Sequence, residues 1–63
     1  MKNITITVYL IEVPSDEIYN PQHDTTSDGL VQGDQMLSIM DKDGNEYGYP
    51  YNNIERCIIK QRN

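Results

Sequence analysis

Gln35-Met36-Leu37-Ser38-Ile39-Met40-Asp41-Lys42-Asp43-Gly44-Asn45-Glu46-Tyr47-Gly48-Tyr49-Pro50-Tyr51 decides the fold. Apolar residues alternate on both sides of Asp43-Gly44, the pattern of two antiparallel strands joined by a tight turn. Two registers compete. A two-residue turn sets Asp41 opposite Glu46 and Met40 opposite Tyr47, and like charges face to face destabilise a strand pair. A three-residue connection, with a type I turn through Lys42-Asp43 and a left-handed Gly44 as a bulge, pairs Ile39 with Tyr47 and Leu37 with Tyr49. We expect this bulged register, with Leu37, Ile39, Tyr47 and Tyr49 toward the core and Met36, Met40 and Glu46 on the other face. A slip of one residue would exchange the two faces.

On the N-terminal side, residues 4 to 13 are rich in β-branched and aromatic types, and Ile4, Ile6, Val8 and Leu10 recur at every second position. The spacing predicts a strand, closed by Pro14, whose ring removes a ladder donor. Thr5, Thr7, Tyr9 and Ile11 lie on its other face, which turns apolar toward the far end. Ser15 to Asp28 has no sustained period and many turn formers, Asn20-Pro21 and Ser27-Asp28-Gly29 among them, and is expected to be a long loop. Ser15 and Glu17-Ile18-Tyr19 are able to start one helical turn before Pro21 ends it. Ile18 and Tyr19 either pin that loop to the core or face a partner. Residues 30 to 33 form a short strand or approach segment, turning at Gly33-Asp34.

On the C-terminal side, Pro50 and Asn52-Asn53 make a bend, and Ile54 to Lys60 reads as the closing strand. Ile54, Cys57 and Ile58 also fit one face of a helical turn, but the Ile58-Ile59 pair and the short length favour a strand. The expected class is all-β: a small open barrel, or an antiparallel sheet of three to five strands, with a long loop in its N-terminal half, the whole of 1–63 forming one domain.

A chain of 63 residues buries only about 60% of its unfolded surface, so its stability is marginal. One cysteine and one histidine leave no internal disulfide and no cluster of metal ligands, so a homodimer or a partner is the expected remedy. Cys57, beside Ile58 and Ile59, is expected to be a small buried hydrophobe, and its solitude suits a reducing cytoplasm. Thr5, Thr7 and Glu12 interrupt the N-terminal apolar run, so neither a membrane segment nor an export signal is expected.

Net charge is −5, which argues against direct binding of nucleic acid through its phosphates. The charge is unevenly placed: Glu12, Asp16, Glu17, Asp24, Asp28, Asp34 and Asp41 fall in a stretch without Lys or Arg, whereas Lys42, Arg56, Lys60 and Arg62 follow it. Such a carboxylate array can be presented to a basic groove, with steering that salt weakens.

Catalytic and metal chemistry find no foothold. Aligning Asp41, Asp43 and Gly44 with a calcium loop leaves Ile39 first and Pro50 at the closing position, and neither ligates. His23-Asp24 stands alone and is expected to be a solvated loop pair. Glu12, Asp16 and Glu17 lack the concave, partly dry site that acid and base work requires. The four glycines lack phosphate-loop spacing. No enzyme activity and no cofactor are expected.

The opening strand, the polar loop, the Asp-Gly hairpin and the Tyr49-Pro50-Tyr51-Asn52-Asn53-Ile54 bend into a last strand together resemble an SH3-like or Sm-like barrel, chiefly over residues 35 to 60. That resemblance implies a binding module. The small size and acidity are also similar to those of phage and mobile-element accessory proteins, many of which inhibit a host enzyme. The expectation is thus a non-enzymatic cytoplasmic inhibitor, docking its acidic loop on a basic site of a host protein that acts on nucleic acid. Glu12, Asp16, Glu17, Tyr19, Asp24, Asp28, Asp34 and Tyr51 are the candidate contacts. The alternative is a self-associating structural subunit, joined through sheet edges or the Met36, Met40 and Tyr51 surface.

Overall fold

Alternation along the first strand and around Asp43-Gly44 is what builds the molecule, because both stretches turn their apolar residues to one shared core. The computed structural model describes residues 2–62. Among them run six strands: β1 (Asn3–Leu10), β2 (Gln22–Thr26), β3 (Leu30–Gln32), β4 (Met36–Met40), β5 (Glu46–Pro50) and β6 (Ile54–Arg62). Three 3-10 turns, Glu17–Tyr19, Ser27–Gly29 and Tyr51–Asn53, join them at corners. The strands make two antiparallel sheets, ordered β2-β1-β6 and β3-β4-β5. The chain is therefore mainly β.

Ile4, Ile6 and Val8 of β1 meet Leu37 and Ile39 of β4 across the two sheets, with Leu10, Leu30, Tyr49 and Ile54 packed around them. Full burial of each such side chain contributes about 1.5–3 kcal/mol, so these few residues carry most of the stability. The other face of β1 is covered too: Thr7 and Tyr9 are buried, and the Arg56 guanidinium lies 4.3 Å from the Tyr9 ring centroid.

The hairpin takes the bulged register. Leu37 pairs with Tyr49, Ile39 with Tyr47 and Met40 with Glu46. Gly44 has φ +86°, a left-handed conformation that glycine adopts at no steric cost. The Gly44 N–H donates to the Asp41 carbonyl at 3.1 Å, and the Asp41 N–H to that of Asn45 at 2.9 Å. Leu37 and Ile39 are buried, while Met36 and Met40 are exposed. β6 is a strand throughout, which settles the helix alternative.

Three expectations need correction. β1 stops at Leu10 rather than running to Val13 and Pro14, because its ladder with β6 shifts between Tyr9 and Leu10. The segment 15–28 is not one loop, since β2 occupies Gln22–Thr26 and pairs with β1. Its polar sequence conceals a strand whose inner side chains, His23 and Thr25, are buried and hydrogen-bonded. Cys57 is exposed, not buried. It pairs with Val8, as Ile59 pairs with Ile6, yet Cys57 and Ile59 both lie on the edge strand of their sheet and are left exposed.

The two flanks of the sandwich consequently differ. On one, the Thr25 hydroxyl donates to the Met40 carbonyl and the Lys42 N–H to that of Asp24 at 3.1 Å. Position 29 of the Ser27–Gly29 corner there admits no side chain, because a Cβ on Gly29 would lie 2.6 Å from the Met40 carbonyl oxygen. On the other flank, among the described residues, no strand pairs with the outer edge of β5 or of β6. No helix among the described residues is long and apolar enough to cross a membrane.

Candidate recognition loop

The segment from Ile11 to Pro21 connects β1 to β2 at the open flank, and one side chain holds it. Asn20 is 7% exposed. Its Oδ1 accepts the Leu10 N–H at 2.8 Å, while its Nδ2 donates to the carbonyls of Pro14 at 3.1 Å and Asp16 at 2.7 Å. The amide thus bridges the end of β1, the middle of the loop and the 3-10 turn. Asp16, rather than Ser15, caps that turn by accepting the Ile18 N–H at 3.2 Å. At the two ends, the Ile11 N–H donates to the Asn53 carbonyl and the Val8 N–H to the Pro21 carbonyl, both at 3.0 Å.

A loop tied this well leaves its large apolar side chains outside. Ile18 is 77% exposed, and Ile11 and Tyr19 are each 56% exposed. Such residues on a fixed backbone present apolar area whose ordering cost has already been met in folding. Beside them a cleft of about 290 Å³ opens between Leu10 at the end of β1, the loop residues Glu12 and Val13, and the β5 and corner residues Gly48, Tyr49, Pro50 and Asn53.

Tyr51 stands next to this end of the molecule. Its hydroxyl donates to the Gly33 carbonyl at 2.8 Å and its N–H to the Gln35 carbonyl at 3.1 Å, so the last 3-10 turn is fastened to the β3–β4 connection that carries Asp34. Glu12, Asp16, Glu17, Tyr19, Asp34 and Tyr51 therefore gather around one end, all exposed. Glu12, Asp16, Glu17 and Asp34 form no ion pair with any described residue.

Asp24 and Asp28 stand apart from that group. Asp24 lies on β2, where its carboxylate accepts the Thr5 hydroxyl at 2.8 Å and sits 3.8 Å from Arg62 Nε. Asp28 lies in the second 3-10 turn, next to Ser27, whose N–H donates to the Lys2 carbonyl. This is the opposite end of β1, a strand about 25 Å long at the usual rise of about 3.3 Å per residue. The acidic stretch of the sequence is thus divided by β2 into two separate surfaces.

His23 is not a solvated loop residue. It is buried on β2, its ring centroid 4.3 Å from that of Tyr47, with Nε2 2.6 Å from the Tyr49 hydroxyl. Burial lowers its pKa, against a smaller opposite pull from Asp41, and burial likewise raises that of Tyr49. The Asp41 carboxylate accepts the N–H groups of Asn45 and Asp43, both at 2.9 Å, and the Asn45 bond is the main cause of its lowered pKa. It is the keystone of a turn. Partial burial raises the Cys57 thiol, the reverse of what a reactive cysteine needs. Among the described residues no three His, Cys, Asp or Glu side chains come together as a metal site would require.

No family model, curated protein or solved structure matches this chain. The site must therefore be read from its geometry. Sequence reasoning found Tyr19, Tyr51 and the loop carboxylates as candidates, but it missed Asn20 as the latch, the exposure of Ile11, and the cleft. Asn20-Pro21 carried a faint signal, since an Asn that both ends a turn and precedes a proline is well placed to bond backbone on either side.

Proposed function

We propose that the protein is a non-enzymatic binding module, an SH3-like open barrel whose recognition element is the loop 11–20. Ile11, Ile18 and Tyr19 supply the apolar contact, and Glu12, Asp16 and Glu17, with Asp34 and Tyr51 beside them, meet cations around it. The partner is a host protein with a basic surface, of the kind that acts on nucleic acid, and the module is a cytoplasmic inhibitor of phage or mobile-element type that occludes that surface. The carrying observation is the combination of a loop fixed by buried Asn20 with an Ile18 side chain left 77% exposed. The SH3-like reading is supported by the order of the elements. β2 and β3 act as one strand bent at Ser27–Gly29, a 3-10 turn precedes the last strand, and that strand returns beside the first.

Affinity capture from source cells tests this. The protein is expected to retain a cationic partner that is released as salt rises, and to lose it with Ile18→Ser or with Asp16→Lys plus Glu17→Lys. Affinity flat from low to high salt, or unaltered by these substitutions, refutes the reading.

The second reading is a self-associating structural subunit. The outer face of the β3-β4-β5 sheet favours it, because Val31, Met36 and Met40 are all exposed there. Sedimentation at micromolar concentration separates the two, since a clean monomer removes the structural reading and leaves the first intact.

A further inference from the structure

We propose that two copies of this chain join through β6, antiparallel and edge to edge, with the two Cys57 residues facing each other across the two-fold axis. The sheet would then run β2-β1-β6-β6-β1-β2. The β6 edge meets loop 11–20 only where Ser15 Oγ donates to Glu55 Oε1 at 3.4 Å, and self-association is read without any partner protein, so either assignment can fail alone.

Three features carry the pairing. β6 is the longest strand, nine residues with neither proline nor glycine, and among the described residues its outer edge has no partner. A row of unpaired backbone donors and acceptors of that length is a template for another strand. The edge of β5 is blunted by Pro50, which lacks a donor. In addition, the apolar inner face stops being covered at β6: Ile6 is fully buried, whereas Ile59, its pairing partner, is 50% exposed. A second β6 continues the sheet past Ile59 and Cys57, and its own inner-face side chains flank both.

Charge then selects the register. A two-fold axis perpendicular to the sheet keeps inner face with inner face, so residues of like parity must oppose each other. Centring on Arg56 or on Lys60 sets that residue against itself, and centring on Glu55 does the same for a carboxylate. Centring on Ile58 opposes Arg56 to Lys60, on Ile59 Arg56 to Arg62, and on Gln61 Lys60 to Arg62. Like charges directly opposite destabilise every one of these. Within the regular stretch Arg56–Arg62, which ends at the bulge next to Ile54, only the Cys57 centre avoids them, placing Arg56 opposite Ile58 and bringing Glu55 against Ile59. The cations of β6 thus act as gatekeepers that leave one pairing open.

Directly opposed residues in antiparallel strands have Cα atoms about 4.5–5.5 Å apart, within the reach of a disulfide. Sedimentation under reducing conditions is expected to show a dimer at micromolar concentration, with Ile59→Glu, which sets a second carboxylate against Glu55, weakening association at least tenfold while leaving the thermal midpoint of the diluted protein in place. Mild oxidation with diamide is expected to lock the wild-type dimer through Cys57, and to leave unlinked a variant whose cysteine has been moved by Cys57→Ser with Ile59→Cys. A monomer at every concentration overturns the proposal. So does a dimer insensitive to Ile59→Glu, or one linked through position 59 and not through Cys57.

Discussion

The two flanks of the sandwich are built from similar strands and finished differently. On the β2 flank, hydrogen bonds tie one sheet to the other: Thr25 bonds to Met40, His23 to Tyr49, and Gly29 lets the backbone pass close to Met40, leaving surface clefts of about 230 and 240 Å³ beside Asp41 and Lys42. On the β5–β6 flank the strands stop short of each other, and Ile11, Ile18, Tyr19, Tyr51 and Ile59 stay exposed. The closed side shows that a polar strand can join two small sheets when each inward side chain has a partner. The open side shows where the same chain keeps apolar surface free. A protein this small has little stability to spare, so surface left uncovered across a whole flank is a feature to be explained by contact with something else.

That contrast can be broken by substitution. The largest loss is expected in the shared core, where Ile39→Ala or Ile6→Ala should cost about 2–5 kcal/mol and leave much of the chain unfolded, as circular dichroism at increasing urea would show. On the closed flank, Gly29→Ala forces a Cβ against Thr25 and Met40, and is expected to cost about 1–3 kcal/mol by the same measurement. Asn20→Ala strands the Leu10 N–H and frees two carbonyls, an expected cost of about 1–3 kcal/mol, with the loop amides losing exchange protection. On the open flank, Ile18→Ser and Tyr19→Ser should stay within about 0.5 kcal/mol of wild type while abolishing partner capture. If these two destabilise as much as Gly29→Ala does, the flanks are not functionally distinct.

The closed flank also predicts a pH dependence. His23 has its pKa held below the ordinary 6.5, chiefly by burial. Below that ordinary value the unfolded chain binds the extra proton and the folded chain does not, so stability falls as pH drops, until His23 protonates in the folded state as well. The urea midpoint should therefore be lower at about pH 5 than at about pH 7, and His23→Gln should flatten that slope. Asp41, lowered chiefly by its bond from Asn45, acts in a separate and more acidic window, its contribution being lost as pH falls below the usual 3.8 toward its depressed value.

How much of this was legible follows from which forces are local. The Asp43-Gly44 hairpin was readable to its register, because a like-charge penalty and a glycine requirement both act within a few residues. β1 was readable by its alternation, but its end was not, since the ladder shifts register at Leu10 and the Leu10 N–H is taken by Asn20, ten positions away. β2 was hidden because Gln22-His23-Asp24-Thr25-Thr26 has no apolar residue to alternate. Its strand state depends on hydrogen bonds from β1, Tyr49 and Met40, which propensity does not register. Cys57 looked like core from its neighbours and proved exposed because coverage of β6 depends on where the other sheet ends. The carboxylates were easy to find and hard to group, since only the tertiary fold shows that β2 carries Asp28 to the far end from Asp16 and Glu17.

Amide hydrogen exchange at Leu10 in the native protein tests the central claim most directly, because that N–H is held by the Asn20 side chain and by nothing else in the ladder's register. A loop fixed in advance of binding predicts that Leu10 exchanges as slowly as Ile6 and Val8, only through global unfolding. Exchange at the rate of a free chain would contradict the account, because the exposed Ile18 and Tyr19 would then belong to a segment with no fixed shape to offer a partner.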